Sequence, residues 1–370
     1  MRSGTANLPL HHGHAPRWLF ERMVRLSAEI ASWIVIEQGT VELFRRLSDP
    51  IWFQAFGAVI GMDWHSSGVT TTVCGALKQG LQDRGRELGL VVAGGKGRTS
   101  RQTPAELTVA GAWLGLDPAP YVQASRLAAK VDNNALQDGY QIYHHVFLLD
   151  RSGHWAVIQQ GMHATNGYAR RYHWFSDDVR SFVDEPHAAI AAEATGTVWN
   201  LVAHESAAAR DVTAALARER PEKVVAEVAK LRELTLPAHH DVQGADVDPQ
   251  RLHRILLKTY ERQPEDFATL LGMEGVGART LRALSLVGEL VYGAPVSIKD
   301  PARFAFAHGG KDRYPYPVDH KTYDISIQTL HTAVEKAKVG QREQLAALKR
   351  LALWADAEMD RSGAAPPDGS

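Results

Sequence analysis

Apolar side chains recur at three- and four-residue steps near the start of the chain: Trp18, Leu19, Met23, Leu26, Ile30, Trp33 and Ile34. That period belongs to a helix with one buried face. Pro16 before the run and Gly39 after it supply start and stop signals. Asp49-Pro50 joins a capping side chain to a proline at the first helical position, so a second helix is predicted for "IWFQAFGAVIG". A third is predicted over "VTTTVCGALKQGLQDRG". Leu88 to Val92 is a short unbroken apolar run that suits a buried strand. "AGGKGRTSRQ" then reads as a loop, and Thr103-Pro104-Ala105-Glu106 as a capping box opening another helix.

The pattern changes at "GYQIYHHVFLLDRSGHWAVIQQGM", which is rich in aromatic and β-branched residues. Asp150-Arg151-Ser152-Gly153 divides it, so it reads as a β-hairpin. Beyond a polar, aromatic stretch the helical period returns. Residues 236–250, "LPAHHDVQGADVDPQ", carry few apolar side chains and read as a linker or functional loop. The predicted fold is α+β and mostly helical. An N-terminal mixed domain (residues 1–235) holds a β-hairpin or small sheet, and a helical domain (residues 251–355) follows. Residues 361–370, "RSGAAPPDGS", are expected to be disordered.

A length of 370 residues exceeds one ordinary core and agrees with two or three domains. The 41 basic and 42 acidic residues nearly cancel, so any nucleic-acid surface must come from local clustering. The single cysteine, Cys74, excludes an intramolecular disulfide and a cysteine zinc site, and its apolar setting points to a buried structural thiol. No apolar stretch approaches the roughly 18 residues of a membrane span, and the N-terminus lacks an apolar signal core. No membrane partner is expected, and the expected location is cytoplasmic.

Within residues 270–284, "LLGMEGVGARTLRAL", two glycines stand where each lowers helix stability by about 1 kcal/mol. Leu281, Leu284, Val287 and Leu290 start a helical stripe directly after them. Two helices joined by a glycine turn form a helix-hairpin-helix. In that arrangement Gly275 and Gly277 let a backbone phosphate approach, Val276 anchors the turn, and Arg279 and Thr280 lie in the first helical turn facing it. The same pattern also describes a plain pair of helices with a glycine turn.

Other stretches carry weaker chemistry. "GGKGRTSR" combines glycines with Lys96, Arg98 and Arg101, as a phosphate or single-strand loop would; a flexible surface loop looks the same. It does not match a nucleotide-binding P-loop. "YARRYHW", which includes Arg171, mixes cations and aromatics as single-strand stacking surfaces do, and as a packed segment with arginines over its rings does. His144 and His145 point to opposite faces of a strand and form no metal pair by themselves; Asp138, His154 and His163 are near in sequence. His239, His240 and Asp241 read as a weak metal or acid–base group, or as solvated loop residues.

Residues 273–281, Met-Glu-Gly-Val-Gly-Ala-Arg-Thr-Leu, resemble the hairpin of the helix-hairpin-helix DNA glycosylase and endonuclease III superfamily. Pro317-Val318-Asp319-His320-Lys321 resembles the segment that carries its catalytic aspartate. The resemblance covers about residues 250–340. It implies a DNA partner, base excision by Asp319 and no cofactor. Arg279 stands where bifunctional members carry a Schiff-base lysine, and an arginine cannot form that adduct. Hydrolytic base removal is therefore implied, and an abasic-site lyase step would need another amine, with Lys321 first and Lys311 also near Asp319 in sequence. Asp319 reads equally as a helix N-cap, which leaves a non-catalytic DNA-binding protein or adaptor as the alternative, and a metal-dependent nuclease as a weaker one. Over most of its length the chain also resembles the DUF763 family of unknown function, through "SGTANLPLHHGHAPRWLFERM" and "DNNALQDGYQIYHH". That likeness implies one unit rather than a fusion.

Overall fold

The structure is a computed structural model that describes residues 16–62, 68–163, 167–192, 195–231, 248–302, 304–305 and 320–362. Helices α1 (Arg17–Gln38), α2 (Thr40–Leu47), α3 (Pro50–Ile60), α4 (Gly68–Gly80) and α5 (Arg84–Leu88) come first. Strand β1 (Leu90–Lys96) leads to α6 (Thr103–Leu114) and α7 (Ala119–Lys130), which runs into a π-helical turn at Val131–Ala135. Strands β2 (Leu136–Gln137), β3 (Tyr140–Asp150), β4 (Trp155–His163), β5 (Ala169–Phe175), β6 (Ala189–Ala192) and β7 (Trp199–Asn200) follow. The remaining elements are α8 (Ala207–Ala217), α9 (Pro221–Leu231), α10 (Pro249–Arg262), α11 (Phe267–Gly272), α12 (Ala278–Tyr292), β8 (Phe304–Ala305), α13 (His320–Lys336) and α14 (Gln341–Ser362).

One sheet runs in the order β1-β3-β4-β5-β6-β8; its neighbours are antiparallel except the parallel β6–β8 pair. Strands β2 and β7 pair separately. The fold is thus α+β and mostly helical; five strands of the sheet come from residues 90–192, and β8 joins its edge from the C-terminal part. Successive strand residues point to opposite faces, and here both faces are covered. Val146, Leu148, Ala156 and Ile158 pack under α1–α4, α13 and α14. Phe147, Leu149, Val157 and Trp174 pack under α6–α12. Each core therefore draws on residues from both sides of 236–250, of which 236–247 lie outside the described residues.

The local signals mostly act as expected. Pro16 precedes α1 and Gly39 ends it. The Asp49 carboxylate accepts the Ile51 and Trp52 N–H groups at 2.8 and 3.3 Å. The third predicted helix is divided into α4 and α5. Gly80, at the end of α4, passes so near α1 that a Cβ there would meet the Val24 carbonyl at 2.6 Å. The predicted glycine loop is the end of β1 followed by a 3-10 turn, Gly97–Gln102. Gly94 has φ +92°, and a Cβ on it would meet the His145 carbonyl at 2.2 Å. Strand pairing therefore accounts for that glycine without a phosphate. The helix at Thr103 starts where predicted, but no capping box forms. The Thr103 hydroxyl donates to Ser100, and the Glu106 carboxylate accepts from Lys78 Nζ and the Gly94 N–H instead. The tail reading begins inside α14 for Arg361 and Ser362, and residues 363–370 lie outside the described ones. Among the described residues no helix is long and apolar enough to cross a membrane.

Candidate nucleic-acid interface

Asp266 begins the helix pair. Its carboxylate accepts the Thr269 N–H at 2.7 Å, a bond that holds the carboxyl below its ordinary range and caps α11. Residues 273–277 then turn the chain into α12. Phe267, Leu270, Leu271, Leu281 and Leu284 are buried, and Val276 is 2 % exposed, so the turn is pinned to the core as its apolar position suggests. Gly275 is exposed at φ +89°, a conformation that favours glycine. Gly277 differs. Its backbone is extended (φ −136°, ψ 179°), and a Cβ there would meet only Asn134 Oδ1 at 3.9 Å, an ordinary contact. Neither backbone strain nor crowding within the chain demands a glycine at 277.

The turn is fastened from a distant part of the sequence. Lys130 Nζ donates to the Met273 and Val276 carbonyls at 3.0 and 2.7 Å. Burial lowers the Lys130 pKa, against the charge of Glu274. Asn134 Oδ1 accepts the Ala278 N–H at 3.2 Å, and Gln137 Nε2 donates to the Ala278 carbonyl at 2.9 Å. The first amide of α12 is thus satisfied internally. Of the two first-turn candidates, Arg279 is exposed and Thr280 is buried. A phosphate would meet the Arg279 side chain but only the backbone of residue 280.

Behind the turn, the π-helical segment carries a buried network that sequence reasoning missed. Asp132 accepts from Gln159 Nε2 at 2.5 Å, Trp174 Nε1 at 3.1 Å and His187 Nε2 at 2.6 Å. Gln159 Oε1 faces His145 Nδ1 at 2.9 Å, so that nitrogen donates, and His145 Nε2 accepts the Ser125 hydroxyl at 2.8 Å. A serine on a histidine on a fixed acceptor is the order of an activated nucleophile. Ser125 is 3 % exposed within α7, however, and here the chain of bonds locks that helix to β3 and β4. The signal in sequence was a set of polar residues inside apolar strands. The register that sets His145 opposite Gln159 was needed to read it.

Arg170 forms a second buried junction. It reaches Asp138 at 2.9 Å and Asp300 at 2.7 and 3.1 Å, while Tyr172 donates to Asp138 at 2.7 Å. Burial opposes the guanidinium charge, but the two carboxylates outweigh it and hold the Arg170 pKa above its ordinary value. Burial raises the Asp138 carboxyl, and Arg170, the Tyr172 hydroxyl and the Tyr140 N–H oppose that shift. Asp138 is thus an arginine partner and not the centre of a metal cluster. Among the described residues no three His, Cys, Asp or Glu side chains are placed to hold a metal ion.

The other expected site residues fall as follows. Arg171 is 1 % exposed on β5. It donates to His173 Nε2 at 2.7 Å and lies 4.3 Å over the Phe53 ring, so it is not a surface contact for DNA. "YARRYHW" is a buried strand whose arginines cover aromatic rings, Arg170 lying 4.6 Å over Tyr140. Lys96 and Arg98 are exposed at the edge of the sheet, Lys96 Nζ standing 5.9 Å over Tyr143. Lys311, Asp319, His239, His240, Asp241 and the Lys321 side chain lie outside the described residues. Cys74 is buried, and burial pushes its thiol up to about 12. A groove of about 690 Å³ runs beside β1, but its cations are engaged, Lys78 with Glu106 and Arg86 with the Trp113 ring.

A sheet enclosed by two helical layers, with a glycine turn fastened at one surface, defines the class of molecule. The chain belongs to the family described as protein of unknown function (DUF763), whose pattern it matches over residues 4–318. No curated protein and no solved structure matches it.

Proposed function

We propose that this protein binds DNA, as repair proteins do, by gripping a backbone phosphate at the turn between α11 and α12. The observation that carries the reading is Gly277. The fold has no internal need for a glycine there, yet the position borders exposed Gly275 and Arg279 at the start of a 15-residue helix. Helix starts attract phosphate through free N–H groups and the helix dipole, and a missing Cβ lets the oxygen come close. The likeness of residues 273–281 to glycosylase hairpins supports the same reading, and Asp319 and Lys321 are then the base-excision candidates. Arg279 at the Schiff-base position favours hydrolytic base removal, or a DNA-binding role without chemistry.

The test uses labelled duplexes containing uracil, hypoxanthine, an oxidised purine or an abasic site, with and without EDTA. Gly277→Val fits the extended backbone and is checked for folding by circular dichroism. The expected result is binding that falls steeply with salt and weakens at least about tenfold in Gly277→Val, one phosphate contact carrying roughly 1.4 kcal/mol or more. Loss of the damaged base, read as strand breakage after alkali treatment, that survives EDTA and is abolished in Asp319→Asn identifies a glycosylase. Binding with no product identifies the non-catalytic form. Unchanged affinity in folded Gly277→Val overturns the phosphate grip.

A further inference from the structure

We infer that α10 carries a second, sequence-independent contact surface for the nucleic-acid backbone, continuous with the α11–α12 turn; the inference rests on the DNA reading above for the class of partner. Arg251, Arg254, Lys258 and Arg262 stand at i, i+3, i+7 and i+11 of α10, and all four are exposed. Residues at those steps share one helical face. Ile255 belongs to the same face, and its Cγ1 lies 3.9 Å from where a Gly275 Cβ would stand. The cationic stripe therefore runs along the flank of α10 that borders the glycine turn. The opposite flank is directed to α9, where His253 Nε2 meets Glu222 at 3.3 Å.

Two features set this stripe apart from ordinary surface charge. Among the described residues none of the four cations makes an ion pair, whereas on α9 Lys223 pairs with Glu219 and Lys230 with Glu227. Glu261 borders the stripe but makes no ion pair with it. Four like charges on one helix repel one another, a cost that a polyanion removes. The stripe is also about 16 Å long at 1.5 Å per residue, enough to follow several charges of a duplex that carries one per about 1.7 Å. A membrane surface fits less well. Leu252 and Leu256 of α10 are buried in the core, which leaves only Leu257 and Tyr260 as exposed large apolar side chains of that helix, less than an inserting face between lipids requires.

Affinity for an undamaged duplex is measured against salt for the full chain, for Arg251→Gln/Arg254→Gln/Lys258→Gln, and for Lys223→Gln/Lys230→Gln. The α10 variant should fold normally, since its side chains are exposed and unpaired. Its plot of log affinity against log salt should be shallower by roughly 2.7, three phosphate contacts at about 0.9 each, while the α9 variant keeps the original slope. A wild-type protein that binds DNA with a slope unchanged in the α10 variant overturns this inference and leaves the phosphate grip standing. A wild-type protein that fails to bind DNA at low salt overturns both. Binding to vesicles containing phosphatidylserine, without DNA binding, reassigns the stripe to a membrane and overturns the inference as well.

Discussion

Arg170 and Arg171 are neighbours on β5, and each is 1 % exposed, yet they enter different surroundings. Arg170 turns toward α6–α12 and lies between Asp138 and Asp300. Arg171 turns toward α1–α4 and donates to His173, Thr70 and the Pro50 carbonyl; burial draws its guanidinium down to about 9, with Cys74 and Asp49 opposing. The histidines of β3 divide the same way. His145 has both ring nitrogens bonded, while neither His144 ring nitrogen has a partner and burial lowers its pKa to about 3. The face toward α6–α12 places carboxylates among its buried donors and gains fixed geometry. On the other face Arg171 and His144 bear desolvation, and among the described residues no carboxylate is hydrogen-bonded to them. The compensated face is also the one that supports the glycine turn: in one π-helical segment Asp132 bonds inward and Asn134 outward to Ala278. Such segments recur at functional sites because they redirect side chains within a helix.

Removing Arg170 should affect the contrast most. Arg170→Met leaves Asp138 and Asp300 buried without a cation, and a loss of about 3–5 kcal/mol is expected in urea unfolding. A loss under about 1 kcal/mol would show that the two carboxylates are not held as anions. Asp132→Asn comes next. It keeps the shape but sets an amide against the donors of Gln159, Trp174 and His187, and about 2–3 kcal/mol should be lost. Retained stability would mean that the network is ornamental to the fold.

His144→Phe should have the smallest effect and the opposite sign. Removing two unsatisfied buried nitrogens is expected to raise stability by about 1 kcal/mol at pH 7. The pH dependence follows from a folded pKa near 3 against 6.5 for a free histidine. Between those values the unfolded chain binds a proton that the fold refuses, so stability falls as the pH drops below about 6.5, by roughly 1.4 kcal/mol per unit for this group. His173, held well below its ordinary value by burial and Arg171, and His145, lowered by burial, act in the same direction. The Phe variant should show a shallower acid limb in a pH series of urea midpoints. An unchanged limb would mean that His144 is protonated in the native state.

Helices were legible where one face alone is buried. The period of α1, the Asp49-Pro50 cap and the β3–β4 turn all read directly from neighbours in sequence. Strands buried on both faces lack an alternating pattern, so the register of β3 against β4, and with it the bond between His145 and Gln159, was out of reach. Glu106 looked like a capping residue because the motif is local, whereas its partner Lys78 lies 28 positions away. Arg171 was misread because cations among aromatics have the same composition inside a sheet as on a binding surface. Gly275 was readable from its conformational need. The significance of Gly277 required the structure, since it lies in what the surrounding atoms leave unused.

The outer layer over α1–α4 closes with the last helices of the chain. Arg350 on α14 donates to the Ala58 and Val59 carbonyls at 3.2 and 2.9 Å, and Leu351 and Trp354 share a core with Met23 and Phe53. During synthesis α1 and α3 emerge some tens of seconds before α14 at about 5–20 residues per second. Throughout that interval the nascent chain presents an apolar surface that α13 and α14 later cover. A ribosome that stops before α14 releases a sticky intermediate, and the cell must shelter it or degrade it.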